Sequence, residues 1–101
     1  MQFVVLGYDG TDAGAPRRRM AARDAHLRTA KEMYDEGTLL YAAALENDDG
    51  VMIGSMIVCD FPSRTELEEQ WLKTEPYVVG NVWERYTVSR AKVAPFCAEP
   101  R

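Results

Sequence analysis

The sequence predicts an α+β domain of order β-α-β-β-α-β, the ferredoxin-like split βαβ arrangement with one antiparallel sheet. Three observations carry this. An apolar run of β-forming residues opens the chain at residues 3–8. A long stretch of helical period follows over residues 17–36. Two more apolar runs, residues 38–45 and 51–59, are then joined by the turn sequence Asn47-Asp48-Asp49-Gly50, a strong hairpin signal.

Each element has its own reason. The first run is apolar on both alternating faces, the pattern of a strand covered on two sides. It stops at Asp9-Gly10-Thr11-Asp12-Ala13-Gly14, rich in turn formers, and Pro16 suits a first helical turn. At about 100° per residue, Leu27, Ala30, Met33 and Tyr34 share one helix face with Met20 nearby. Gly37 is a natural stop. In the third strand, Val51, Ile53, Ser55, Ile57 and Cys59 alternate with Met52, Gly54, Met56 and Val58, and both sets are largely apolar. Helices cover one face of a two-layer fold, so the second face calls for another subunit. Ser63-Arg64-Thr65-Glu66 is a capping box opening a helix to about Leu72. Thr74-Glu75-Pro76 breaks that helix and begins a short turn capped by Glu75, and residues 82–88 form the last strand. The domain is expected over residues 1–93, with residues 94–101 a tail of no clear period.

Composition bounds the function. The chain has 101 residues, 47% of them hydrophobic and 28% charged, which fits one globular domain. A domain this small buries roughly two-thirds of the surface its unfolded chain exposes, which favours self-association. The net charge of -4 and pI of about 4.9 argue against nucleic acid or an anionic membrane surface as partner. The basic run Arg17-Arg18-Arg19 is too short to reverse this. No apolar stretch approaches the roughly 20 residues needed to span a bilayer, and the first residues lack a basic, then long apolar, leader pattern. A cytoplasmic location is the expectation, with Cys59 and Cys97 as thiols.

Five residues are candidates for a site. His26, the only histidine, lies at the edge of the first helix's apolar stripe, and its side chain suits proton transfer near neutral pH. A histidine that merely hydrogen-bonds a backbone carbonyl is the competing reading. Glu75, at a helix cap, could orient an imidazole as the third member of a triad does. Ser55 interrupts an apolar strand after Gly54, where backbone and ligand could approach closely. Arg23 lies three residues before His26 and could hold an anion. Tyr8 closes the first strand beside the loop that leads to the helix. One histidine and unclustered cysteines build no usual metal site, and no phosphate loop or nucleophile elbow is present in the sequence. No cofactor is expected.

The segments Arg23-Asp24-Ala25-His26-Leu27, Gly54-Ser55-Met56-Ile57-Val58 and Glu75-Pro76-Tyr77-Val78-Val79-Gly80, with the stop at Gly37, resemble the YciI-like (YCII-related) family. The resemblance covers nearly the whole chain. It implies a dimeric α+β barrel, in which two ferredoxin-like subunits form a homodimer through their sheet faces. It also implies a histidine paired with an aspartate. The histidine maps onto His26, and the aspartate position, part of an Asp-Pro-aromatic motif, is Glu75 here. Some relatives are dehydrochlorinase-type enzymes acting on hydroxylated rings. The implied activity is elimination or isomerisation of a small molecule by a His-carboxylate pair. A dimeric protein that binds a small ligand without turnover is the alternative.

Overall fold

The computed structural model describes residues 1–97. Strand β1 (Gln2–Asp9) leads into the 22-residue helix α1 (Ala15–Glu36). Strands β2 (Leu39–Glu46) and β3 (Met52–Asp60) form the expected hairpin around the Asn47 turn, whose side-chain oxygen accepts from the Asp49 and Val51 amides. Helix α2 (Arg64–Gln70) begins where Ser63 Oγ accepts from Glu66 N at 3.1 Å. A 3-10 turn (Leu72–Thr74) and the four-residue helix α3 (Pro76–Val79) follow, and strand β4 (Trp83–Ala91) completes the sheet. The tail expected at residues 94–101 enters a 3-10 turn at Pro95–Cys97, and its last four residues lie outside the described region.

The four strands are antiparallel and ordered β2-β3-β1-β4. This is the ferredoxin-like topology. It also corrects one expectation, because the sheet is not closed into a barrel. Strands β2 and β4 are its two edges, and each pairs with only one neighbour. Four strands are half the number that closes even a small side-chain-filled barrel.

Period-2 alternation decides which residues meet the helices. On β1 and β3, Phe3 pairs with Cys59 and Val5 with Ile57, and all four are buried beneath the helical layer. Val4 pairs with Val58 and Leu6 with Met56 on the other, half-buried face, which no described element of the chain covers. Leu67, Trp71, Leu72 and Val82 complete the core.

Helix α1 buries a face that overlaps only in part with the one its apolar residues suggest. Ala15, Arg19, His26 and Met33 are buried, with Ala22 and Ala30 partly so. Met20 is 65% exposed and Tyr34 55%, and Leu27 is also exposed. The seam is thus lined by small residues and Met33, plus one arginine and one histidine. His26 lies in the middle of that face rather than at its edge. The polar pair can be buried because each has a partner waiting on the opposite side.

Candidate active site

The site is built where α1 crosses α3. Pro76 sits at the start of α3 and Glu75 caps it, its carboxylate turned back to accept from the Tyr77 amide at 2.8 Å. The same oxygen receives His26 Nδ1 at 2.9 Å from the middle of α1. The other carboxylate oxygen receives Trp71 Nε1 at 3.1 Å. Glu75 is 1% exposed and His26 7%. The buried carboxylate therefore has three converging donors, the arrangement that makes a buried acid tolerable.

This geometry assigns the imidazole tautomer. A carboxylate only accepts, so Nδ1 carries the hydrogen toward Glu75, and in the neutral imidazole Nε2 then presents its lone pair. Nε2 forms no hydrogen bond among the described residues. Aromatic packing fixes the ring plane. Tyr77 stacks on His26 with centroids 3.8 Å apart and planes 9° from parallel, and Trp83 meets it edge-on at 6.3 Å. Burial pushes the Tyr77 phenol above its ordinary value, so Tyr77 acts here as a neutral aromatic plate.

Beside this pair lies a second polar cluster. Arg19 Nη1 reaches both oxygens of Asp9, at 2.8 and 2.9 Å. Its Nη2 donates to Gly54 O at 3.2 Å and to Ser55 Oγ at 3.3 Å. Ser55 Oγ also accepts from Trp83 Nε1 at 3.2 Å. The Arg19 guanidinium lies 4.9 Å from the centre of the Tyr77 ring. The Tyr77 ring thus packs against both Arg19 and His26, whose carboxylate partners are Asp9 and Glu75. Glycine is required at position 7, because a Cβ there would overlap the Trp83 indole. Gly7 and Ser55 are register partners, so this close approach is what brings Trp83 Nε1 to the Ser55 hydroxyl.

A cavity of about 150 Å³ opens between α1 and the sheet, and His26, Arg19, Arg23, Ser55 and Tyr77 are its polar lining. Ala42, Ala44, Leu27 and Ile57 supply apolar wall.

Of the five residues singled out in the sequence, the structure brings His26 and Glu75 into contact and sets Ser55 and Arg23 on the same cavity. The added methylene of Glu75, relative to aspartate, does not prevent the contact. Tyr8 is elsewhere. It follows Val4 and Leu6 on the uncovered face, where Arg85 lies 4.2 Å from its ring centre. Sequence reasoning missed Arg19, Asp9, Trp71 and Trp83 as site components. Arg19 falls two helical turns before His26, on the same helix face, and that spacing was the available signal. Among the described residues, no group of three or more His, Cys, Asp or Glu could hold a metal ion. No helix among them is long and apolar enough to cross a membrane.

The pattern of the YCII-related domain matches residues 1–92. The chain belongs to this family. The YciI proteins of Escherichia coli O6:H1 and Shigella flexneri are each 32% identical to this YCII-related domain over 98 residues, spanning 91% of this chain and 97% of theirs. Among solved structures, the 5-chloro-2-hydroxyhydroquinone dehydrochlorinase of Burkholderia phenoliruptrix AC1100, in complex with 2,5-dihydroxybenzoquinone, superimposes with a TM-score of 0.78. The match covers 95% of this chain and 98% of that one at 18% identity, so it speaks for a shared fold.

Proposed function

We propose that this YCII-related domain is an acid–base enzyme acting on a small molecule by elimination or isomerisation, with His26 as its proton-transfer group. The observation that carries this reading is the 2.9 Å contact between His26 Nδ1 and the buried Glu75 carboxylate, on the wall of a cavity. Glu75 fixes the tautomer and supports the imidazolium that forms, while Nε2 takes a proton from the substrate. In the dehydrochlorination of a chlorinated hydroquinone, one phenolic proton is relayed to the ring carbon that bears chlorine, and the electron pair of the second O–H bond then forms the quinone C=O as its proton is taken. The C–Cl bond breaks, chloride leaves, and the proton rests on Nε2 until it passes to water. In an isomerisation the proton returns to a different atom of the substrate. The ligand-bound dehydrochlorinase of the same fold supports a small hydroxylated ring as the compound to try first.

The test is turnover of chlorinated hydroquinones, followed by chloride release and by absorbance of the quinone product. His26→Gln should lower turnover by about 10²–10⁴, the usual range for loss of a general acid or base, with unchanged circular dichroism. Full activity in that variant would remove His26 from the mechanism. Ligand binding without turnover in the wild-type protein would favour the alternative of a binding protein.

A second copy of the chain on the uncovered sheet face, and a cytoplasmic setting, belong to the same proposal. Support for the copy comes from Val4, Leu6, Met56 and Val58, which form a contiguous apolar patch there. Light scattering should report twice the chain mass, and Leu6→Lys should halve it. A monomer at all concentrations would sink that part.

A further inference from the structure

We propose that the cavity beside His26 is an anion site, in which the Ser55 hydroxyl and Arg23 receive an oxyanion carried by a single-ring ligand. The inference deepens the acid–base reading by naming the class of compound, and it rests on that reading for its catalytic meaning.

A hydroxyl has two acceptor lone pairs and one hydrogen to donate. Ser55 Oγ receives Trp83 Nε1 at 3.2 Å and Arg19 Nη2 at 3.3 Å, which occupies both lone pairs. What remains is the O–H, and it has no acceptor among the described residues. Ser55 is 3% exposed and lines the cavity. A buried donor left without an acceptor costs about 1–3 kcal/mol. Accepting a bond from a cation also polarises the hydroxyl and makes it a stronger donor. An acceptor in the cavity would meet both conditions.

The charges point the same way. Asp9 balances Arg19, and Glu75 faces His26. Arg23 makes no hydrogen bond or ion pair among the described residues, and it is half-buried on the cavity wall. No aspartate or glutamate among those residues lines the cavity. Arg19 Nε is a further buried donor without a partner there. The lining thus offers free donors, and Arg23 is a cation on the wall with no side-chain partner among the described residues. Its uncommitted acceptor is the His26 lone pair, which is where a C–H or O–H would be presented.

Size sets the remaining limit. A cavity of about 150 Å³ is the volume known to admit a single benzene ring. The alanine and aliphatic walls suit a flat ring, so the ligand class is a monocyclic phenolate, enolate or carboxylate.

The probes are benzoate and its neutral isostere benzamide, titrated by calorimetry and by amide NMR shifts into the full chain. Benzoate should bind at least about tenfold more tightly than benzamide, as expected for one charge-assisted hydrogen bond. Arg23→Gln and Ser55→Ala should each weaken benzoate by about tenfold or more, and Arg23→Gln should leave benzamide unchanged. Arg23 is half-buried, so its variant should remain folded even if Ser55→Ala does not. Equal affinity for the two probes, binding of neither, or an Arg23→Gln variant with wild-type benzoate affinity would overturn the proposal. His26→Gln separates the two readings. An inactive variant that still binds benzoate supports both, and an active one that binds benzoate refutes only the catalytic assignment.

Discussion

The Tyr77 ring lies parallel to the His26 imidazole at 3.8 Å, and the Tyr77 amide shares one carboxylate oxygen with His26 Nδ1. Two different parts of one residue therefore hold the histidine. The backbone of Tyr77 fixes the acid, and its side chain fixes the ring plane. The two contributions separate by mutation. Tyr77→Phe keeps both, and its stability by urea denaturation should match wild type within about 0.5 kcal/mol. Tyr77→Ala keeps only the amide and opens a cavity against Trp83. A loss of about 3–5 kcal/mol is expected, the range for removing a buried aromatic. A large loss in Tyr77→Phe would mean that the hydroxyl, not the ring, does the holding.

Glu75→Gln tests the acid itself. An amide has one acceptor oxygen, whereas three donors converge here on two carboxylate oxygens. At least one donor must then face an NH₂ group. Unfolding free energy should fall by about 1–3 kcal/mol for the donor left unsatisfied. Glu75→Asp should shorten the reach toward Trp71 and His26 while retaining the helix cap, and should cost less. Equal stability of the Glu75→Gln variant and wild type would show that the carboxylate is not needed to organise the site.

These contacts also show where the sequence stopped being readable. The order of elements, the Asn47 turn, the Ser63 cap and the Glu75 cap follow from local chemistry, and all appear in the structure. Burial of α1 does not follow from local chemistry. Counting apolar residues puts Leu27 and Tyr34 inward, yet both are exposed, while Arg19 and His26 are buried. Their partners are ten and 49 residues away in sequence, Asp9 on β1 and Glu75 before α3. A hydropathy pattern treats both as surface residues, because only the tertiary partner makes their burial favourable. The same blindness explains Tyr8. It borders the loop in sequence, but strand alternation turns it to the opposite face from Gly7. Closure of the sheet into a barrel was likewise a matter of edges, which single-strand patterns do not specify.

Gly7→Ala should act at a distance. The new methyl would overlap the Trp83 indole, which must move away from Ser55. Overpacking of this kind costs about 1–3 kcal/mol. The diagnostic readout is Trp83 fluorescence or its indole N–H resonance, which should shift as the bond to Ser55 lengthens. An unchanged indole resonance would mean that the strand, not the ring, had yielded.

Cys59 gives a pH-dependent prediction. Burial, reinforced by Asp60, pushes its thiol up to about 12 from the ordinary value of 9.0. The folded state then holds a proton that the unfolded chain releases earlier. The contribution is fully present below pH 9.0 and is lost as pH rises toward about 12. Cys59→Ala should therefore flatten the alkaline limb of a stability–pH curve. In the native protein at neutral pH, iodoacetamide should label the exposed Cys97 and spare Cys59. Rapid labelling of both thiols would contradict the burial of β3.

The pair Asp9–Arg19 provides the sharpest energetic test, because both side chains are only 7% exposed. Asp9→Asn leaves the Arg19 guanidinium buried beside Tyr77 with its counter-charge gone. Breaking one half of a buried pair typically costs about 3–5 kcal/mol, since the remaining charge is stranded. Replacing both, as in Asp9→Leu with Arg19→Met, should recover most of that loss, because no charge is then left without water or partner. The double variant would also lose the Arg19 bond to Ser55, freeing one of the lone pairs that Arg19 and Trp83 occupy. Its stability and its site should therefore diverge. Unfolding by urea should report near-wild-type stability, while benzoate affinity falls with the weaker donor strength of Ser55. If stability fails to recover, the pair contributes more than charge balance to the packing between β1 and α1.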